Sequence, residues 1–150
     1  MDIVSLDLQR DLELYLEGEV EAFQHSFPGV SLSHVQRAEM KASVVELAGN
    51  QDFAAFTALS ENRPVGFVVV SMQWFYTSPQ GYIDSIYVMA EHRAQGIGGQ
   101  LLNAAEHWAA QRGARSVRLD VSVVNTTAIG MYESAGFGVT RVQMERPIAR

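Results

Sequence analysis

The chain contains no cysteine and a single lysine, Lys41, beside ten arginines. Without thiols it can form no disulfide, no thiolate nucleophile and no cysteine-based metal site. Its four histidines, His25, His34, His92 and His107, show no paired ligand spacing and no H-E-x-x-H, so no metal is assigned. No apolar run of about 18 residues appears and the N-terminus is acidic, so neither a membrane span nor a secretion signal is expected. The cytoplasm is the default location. Internal repeats and low-complexity segments are absent. Positive charge is scarce too: the formal net charge is −6. Such a surface disfavours nucleic acid and anionic membranes and draws cationic partners.

What is present fits one folded domain, residues 1–150. The chain is 47% apolar and 9% aromatic, and is long enough to bury a core. Asp2 to Leu6 reads as a short strand. Leu8 to Phe23 reads as a helix with Leu8, Leu12, Tyr15, Leu16, Val20 and Phe23 near one face. Phe27-Pro28-Gly29 breaks it. Ser31 or Ser33 can cap a second helix running to about Leu47. Phe53 to Ser60 is a strand, Glu61 to Pro64 a turn, and Val65 to Tyr76 a longer strand. Its run Phe67-Val68-Val69-Val70 is apolar on both faces, which predicts a central position. Thr77 to Gly81 reads as a hairpin loop, and Tyr82 to Met89 as the next strand. A helix from Gln100 to Arg112 comes after it, stopped by Gly113. Ser116 to Val124 alternates apolar and polar residues as a strand does. Asn125 can cap a helix over Thr126–Ala135 that ends at Gly136, and Val139 to Arg146 is expected to be the final strand. The pattern predicts an α/β sandwich around a mixed sheet.

The most informative segment is Arg93-Ala94-Gln95-Gly96-Ile97-Gly98-Gly99, between a strand and a helix. Glycines let main chain turn tightly and approach a ligand. The first N–H groups of a helix lack intrahelical partners, and the helix dipole adds positive potential there. Phosphate is the natural guest. Arg93 at the rim can add a charge-assisted contact. Two familiar phosphate motifs fail. A Rossmann fingerprint needs a small residue where this chain has Leu101, and a P-loop needs a Gly-Lys pair, whereas Lys41 lies far away.

The remaining pattern is R-x-x-G-x-G, preceded by Ile86-Tyr87-Val88 and followed by Leu101-Leu102. It resembles the acetyl-CoA pyrophosphate loop of the GNAT superfamily of N-acetyltransferases. A second motif comes next in order: Asn125, then Ala128, then Tyr132, then Gly136-Phe137. The resemblance covers roughly residues 64–146. It implies a single-domain α/β sandwich around a mixed, mostly antiparallel sheet, with acetyl-CoA as co-substrate.

The resemblance implies roles for particular residues. The main chain of Ile86, Tyr87 and Val88 would pair with the acyl-pantetheine arm, as a peptide pairs with a sheet edge. The Val88 N–H would stabilise the oxyanion. Arg93, Ala94, Gln95, Gly96, Ile97, Gly98 and Gly99 would hold the pyrophosphate, with Asn125, Ala128 and Tyr132 completing the cofactor side. Tyr132 would act as the acid for the departing thiolate. Asp84 is the candidate base, and strand alternation sets it on the face of Ile86 and Val88. Glu46 and Asp120 are weaker candidates. Many family members carry glycine where this chain has Ala94. Trp74, Phe75 and Tyr76 read more simply as core and edge residues than as a pocket wall, and Gly130 inside a helix suggests a close approach. No histidine neighbours Ser85 in sequence, which argues against a serine acyl-enzyme.

The expected activity is direct transfer of acetyl to a primary amine, on a small cationic molecule. Protein N-terminal or lysine acetylation is the alternative within the same chemistry. A CoA-binding regulatory module and a nucleotide-binding domain are the alternatives outside it. The oligomeric state is open, a homodimer included.

Overall fold

A computed structural model describes residues 1–149. A five-stranded sheet has the order β1 (Asp2–Ser5), β2 (Phe53–Ser60), β3 (Arg63–Phe75), β4 (Ser78–Val88) and β5 (Val117–Arg118). The first four strands are antiparallel neighbours, and β4 pairs with β5 in parallel. Helices α1 (Leu8–Ser26) and α2 (His34–Ala48) cover one face, and α3 (Ile97–Ala110) covers the other. Helix α4 (Thr126–Ser134) comes after β5.

Strand β3 is central, as its doubly apolar run requires. Phe67 and Val69 pack toward α1 and α2, while Val68 and Val70 pack toward α3. Local signals explain three helix starts. The Asp7 carboxylate accepts from the N–H groups of Gln9 and Arg10 at the head of α1. Ser33, of the two serines considered, forms a reciprocal capping box with Gln36 at α2. The Asn125 Oδ1 accepts from Ala128 N–H at 3.2 Å and caps α4.

Helix α1 is fixed to the sheet at two points. Asp11 is fully buried and takes hydrogen bonds from Thr57 Oγ1 (2.7 Å), Asp7 N–H (2.8 Å) and the Arg10 guanidinium. Burial alone would raise its pKa, but these donors hold it below the usual range. Further along α1, Gly18 lies where a Cβ would sit 2.7 Å from Phe67 Cε1 and 2.8 Å from Tyr87 Cγ. Only glycine lets α1 come this close, and the approach carries the flanking glutamates to β4.

Three expectations are corrected. The hairpin between β3 and β4 turns on Tyr76 and Thr77 alone, with Tyr76 at φ 54°, so Pro79 lies within β4 opposite Trp74. The strand expected over Ser116–Val124 is ordered as a ladder only at Val117–Arg118, because past Tyr82 strand β4 no longer runs beside it. The strand expected over Val139–Arg146 does not form: residues 138–149 are all exposed and have no neighbouring strand. Gly130 has no strand close by: a Cβ there would meet no described residue within 4 Å.

Two glycines give opposite expected results. At Gly66 a Cβ would lie 2.8 Å from the Tyr87 carbonyl oxygen, which is main chain and cannot yield cheaply. Gly66→Ala is expected to lose about 1–3 kcal/mol in urea unfolding. Gly130→Ala faces open space in a helix and is expected to gain about 0.5–1 kcal/mol. Equal effects at the two sites would contradict the packing described.

Candidate functional site

Strand β4 carries a bulge in its middle. Val69 pairs with Ser85 and Val70 with Ile83, so Asp84 has no partner in β3. The extra residue reverses the facing of everything after it. Ile83, Ile86 and Val88 all pack toward α3, while Ser85 and Tyr87 look toward α1. Asp84 lies close enough to Ser71 for that hydroxyl to oppose the rise in its pKa, and within electrostatic reach of Tyr15 and Glu19. It therefore faces α1, not the side of Ile86 and Val88 that simple alternation predicted. The bulge is the reason.

Beyond Tyr82, β4 has no partner on its β5 side. Met89 N–H donates to Val65 O at 2.9 Å, toward β3. Main-chain directions alternate along a strand, so Val88 turns its N–H and C=O to the open side. Arg93 Nε, 2.8 Å from Val88 O, reaches it from there. A free main-chain edge with an outward Val88 N–H is thus in place.

The glycine loop continues from this edge. A short 3₁₀ turn, Ala90–His92, leads to Ala94 at φ 60° and Gly96 at φ 80°. Left-handed backbone disfavours alanine, which explains why glycine suits that position better. Gly96 is the N-cap of α3 and makes no side-chain capping bond. The other three α-helices each have one. The N–H groups of Ile97, Gly98 and Gly99 are left facing outward at the positive end of the helix dipole. This arrangement fits a diphosphate on chemical grounds. Arg93 is engaged differently from the sequence expectation. Its guanidinium donates to Glu21 Oε1 at 2.8 Å and lies 5.7 Å from the Tyr87 ring, so it ties the loop to α1. Both partners are about half exposed, so this tie is weak.

Helix α4 meets the loop directly. Met131 Sδ occupies the space a side chain at Gly98 would need, 2.6 Å from the position of its Cβ. The next residue, Tyr132, packs on the cluster that also takes Ile86, Val88 and Ile97, with its ring 5.9 Å from that of Phe137. Burial raises the Tyr132 pKa, so the hydroxyl stays protonated. Asn125 and Ala128 bond to each other as a cap, which places them beside Tyr132 but leaves the Ala128 N–H occupied.

The residue missed by sequence reading is Glu19. Ser85 Oγ donates to Glu19 Oε1 at 2.6 Å, bridging α1 to the strand next to Asp84. Burial raises the Glu19 pKa, Ser85 opposes this, and the Asp84 charge raises it again. The Asp84 carboxyl is raised by partial burial, opposed by Ser71, although much of the residue is exposed. Glu17 accepts from Tyr87 Oη at 3.2 Å. Glu13, Glu17 and Glu21 line a groove of about 600 Å³ between α1 and Arg37, floored by Leu16 and Val20. The i, i+4 spacing of three like charges was the available signal, because such a ladder weakens an isolated helix. Glu46 and Asp120 stay outside; Asp120 accepts from Tyr82 Oη at 2.6 Å. Among the described residues no His, Asp and Glu cluster could hold a metal, and no helix is long and apolar enough to cross a membrane.

Residues 14–137 match the model of the Acetyltransferase (GNAT) family. The chain is 27% identical over 100 residues to aminoglycoside N(6′)-acetyltransferase type 1 of Salmonella typhimurium, covering 63% of this chain and 69% of that protein. It is 33% identical over 84 residues to N-alpha-acetyltransferase 30 of Schizosaccharomyces pombe, covering 55% and 56%. The crystal structure of an aminoglycoside 6′-N-acetyltransferase from Acinetobacter haemolyticus matches 99% of this chain and 100% of its own, with a TM-score of 0.77 at 24% identity. With a bulged β4, an uncapped α3 and a family match over most of its length, the chain belongs to the GNAT family and is an acetyl-CoA-dependent N-acetyltransferase. Its co-substrate is acetyl-CoA, and the acceptor is an amine.

Proposed function

We propose that the acceptor is a small polycationic amine, of the polyamine or aminoglycoside kind, and that transfer is direct. The observation that carries the acceptor class is the groove lined by Glu13, Glu17 and Glu21, which adjoins Glu19 and Asp84 through Tyr87 and Ser85. Several carboxylates recognise several ammonium groups, and the chain's net charge of −6 favours their encounter. Relatives that act on aminoglycosides support the reading.

Binding, proton transfer and positioning fall to different residues. The open edge at Ile86–Val88 pairs with the amide groups of the pantetheine arm. The N–H groups of Ile97, Gly98 and Gly99 hold the pyrophosphate, with Ala94, Gln95 and Gly96 setting the turn. Val88 N–H donates to the thioester oxygen as negative charge builds on it. Glu19 and Asp84 hold the ammonium, and one of them takes its proton so that the nitrogen lone pair is free. The nitrogen–carbon bond forms and the carbon–sulfur bond breaks; Tyr132 gives a proton to the sulfur, and the surplus proton on the new amide nitrogen returns to the phenolate, directly or through water. Arg93 positions the loop against α1.

The test is thiol release from acetyl-CoA with polyamines, aminoglycosides and basic peptides as acceptors. A small polycation is expected to exceed the best peptide by at least about tenfold in kcat/KM, a difference of about 1.4 kcal/mol at the transition state. Preference for a peptide N-terminus would favour the second reading, which the N-alpha-acetyltransferase relative supports. CoA binding with no turnover on any amine would contradict both.

A further inference from the structure

We propose that the Tyr15 hydroxyl joins Glu19 and Asp84 around the acceptor nitrogen, and that this third contact makes the site select primary amines over N-methylated ones. The role rests on Glu19 and Asp84 holding the ammonium as proposed above. Tyr15 lies on α1 one turn before Glu19, so the two side chains leave the helix on neighbouring positions of one face. Glu19 in turn reaches Ser85, the chain neighbour of Asp84. The Tyr15 ring is fixed in the core. The residue is 5% exposed, and its ring centroid lies 4.9 Å from that of Phe67, which is 5.9 Å from that of Tyr87. Gly18 brings α1 down onto the same Phe67 and Tyr87 rings. The oxygen is placed differently from the ring. No described residue gives or takes a hydrogen bond there. Yet it is not sealed: among the described residues only Gln80 Oε1 and Arg118 Nε are both hidden from solvent and unpaired. The oxygen therefore opens to the surface, and the carboxylates whose charges act on it are Glu19 and Asp84. Burial first, and then those two charges, raise its pKa and keep the phenol neutral. A ring that only fills the core needs no oxygen, and phenylalanine would serve. A rigid, neutral, unpaired hydroxyl beside two carboxylates suits a guest with several hydrogens to donate.

A primary ammonium carries three N–H groups. Glu19, Asp84 and Tyr15 offer an acceptor to each, and the Tyr15 O–H is free to turn to either carboxylate. Before attack, one carboxylate takes a proton: an N–H bond breaks, an O–H bond forms, and the electron pair stays on nitrogen. Two N–H groups then remain, held by Tyr15 and the other carboxylate. The lone pair is left untied to the protein and free to attack. Without Tyr15, the neutral amine keeps one contact and turns about it. A secondary amine has one N–H fewer, and its methyl group displaces one of the three contacts. That leaves an acceptor desolvated and unpaired, which costs more than the lost bond alone. Sites built to bond a substrate N–H reject analogues that lack it by large factors.

Steady-state kinetics with 1,4-diaminobutane and its N,N′-dimethyl derivative test the role. The two dications differ by one N–H at each nitrogen. The parent is expected to favour the primary amine by at least about fiftyfold in kcat/KM. Tyr15→Phe should lower kcat/KM for the primary amine about tenfold and cut the preference below about tenfold, with CoA affinity by calorimetry held within about twofold. Phenylalanine keeps the packing on Phe67, so the unfolding temperature should hold or rise. A fall would tie the hydroxyl to the fold and overturn the proposal, and so would an unchanged preference in the variant. Normal kinetics in Tyr15→Phe beside impaired kinetics in Glu19→Gln would leave the ammonium site standing and remove Tyr15 from it. A parent that acetylates neither amine, or a Glu19→Gln variant that is normal as well, would strike the ammonium site and the role of Tyr15 together.

Discussion

Tyr132→Phe is expected to lower kcat about a hundredfold and leave the affinity for CoA within about twofold. The argument rests on where the hydroxyl lies and what it must do. The ring packs on the cluster shared with Ile86, Val88 and Ile97, so phenylalanine keeps the packing and loses only the oxygen. Burial holds the phenol protonated, and among the described residues no side chain or main-chain group takes a hydrogen bond from it. A thiolate leaving without a proton donor must depart as an anion. Thiols have a pKa of about 8.5, so the penalty is moderate and partly relieved at high pH. The deficit should therefore narrow as pH rises. Steady-state kinetics across pH, with CoA affinity by calorimetry, checks this. Full activity in the variant would remove Tyr132 from the chemistry.

Glu19→Gln is expected to reduce kcat/KM for a polycationic amine at least tenfold while raising the stability of the fold. The two effects share one cause. Burial and the neighbouring Asp84 raise the Glu19 pKa, and burial raises that of Asp84. A carboxylate whose folded pKa is raised binds protons more readily in the folded state than in the unfolded one. Its destabilising contribution is absent below the unfolded pKa. It grows as pH rises through the window between the two values and is complete above the folded pKa. Glutamine keeps the acceptor for Ser85 Oγ, 2.6 Å away in the parent, and removes the charge. The variant should unfold at higher temperature than the parent at pH 7 and lose that advantage near pH 4. In the parent, activity should fall on the acid side as Glu19 and Asp84 gain protons, at a higher pH than free carboxylates would. A variant with normal acceptor kinetics would show that Ser85–Glu19 is a structural bridge only.

The proposed donor side was legible because it depends on residue type at fixed positions. A left-handed turn needs glycine at Gly96, and a chain that must pass close to Met131 needs it at Gly98. Those demands survive in sequence whatever the rest of the fold does. The Asn125 cap and the central run at Phe67–Val70 were readable for the same reason. The proposed acceptor side was hidden because it depends on contacts across distance. Glu19 meets Ser85 from 66 positions away, and nothing in the α1 periodicity announces that meeting. The bulge at Asp84 was not read because it is a matter of register against β3, where Val69 pairs with Ser85 and Val70 with Ile83. Val139 to Arg146 has strand composition, but a strand also requires an edge to join, and that belongs to tertiary or quaternary context.

The open side of β4 is built from peptide groups, which mutation leaves chemically unchanged. The grip proposed for it on the acyl donor can therefore persist through extensive substitution. The glutamates of α1 have no such protection, because each is one codon change from another character. If the proposed roles hold, preference for the amine is free to drift while the donor half stays constant; the two relatives compared, at 27% and 33% identity, are named for different acceptors.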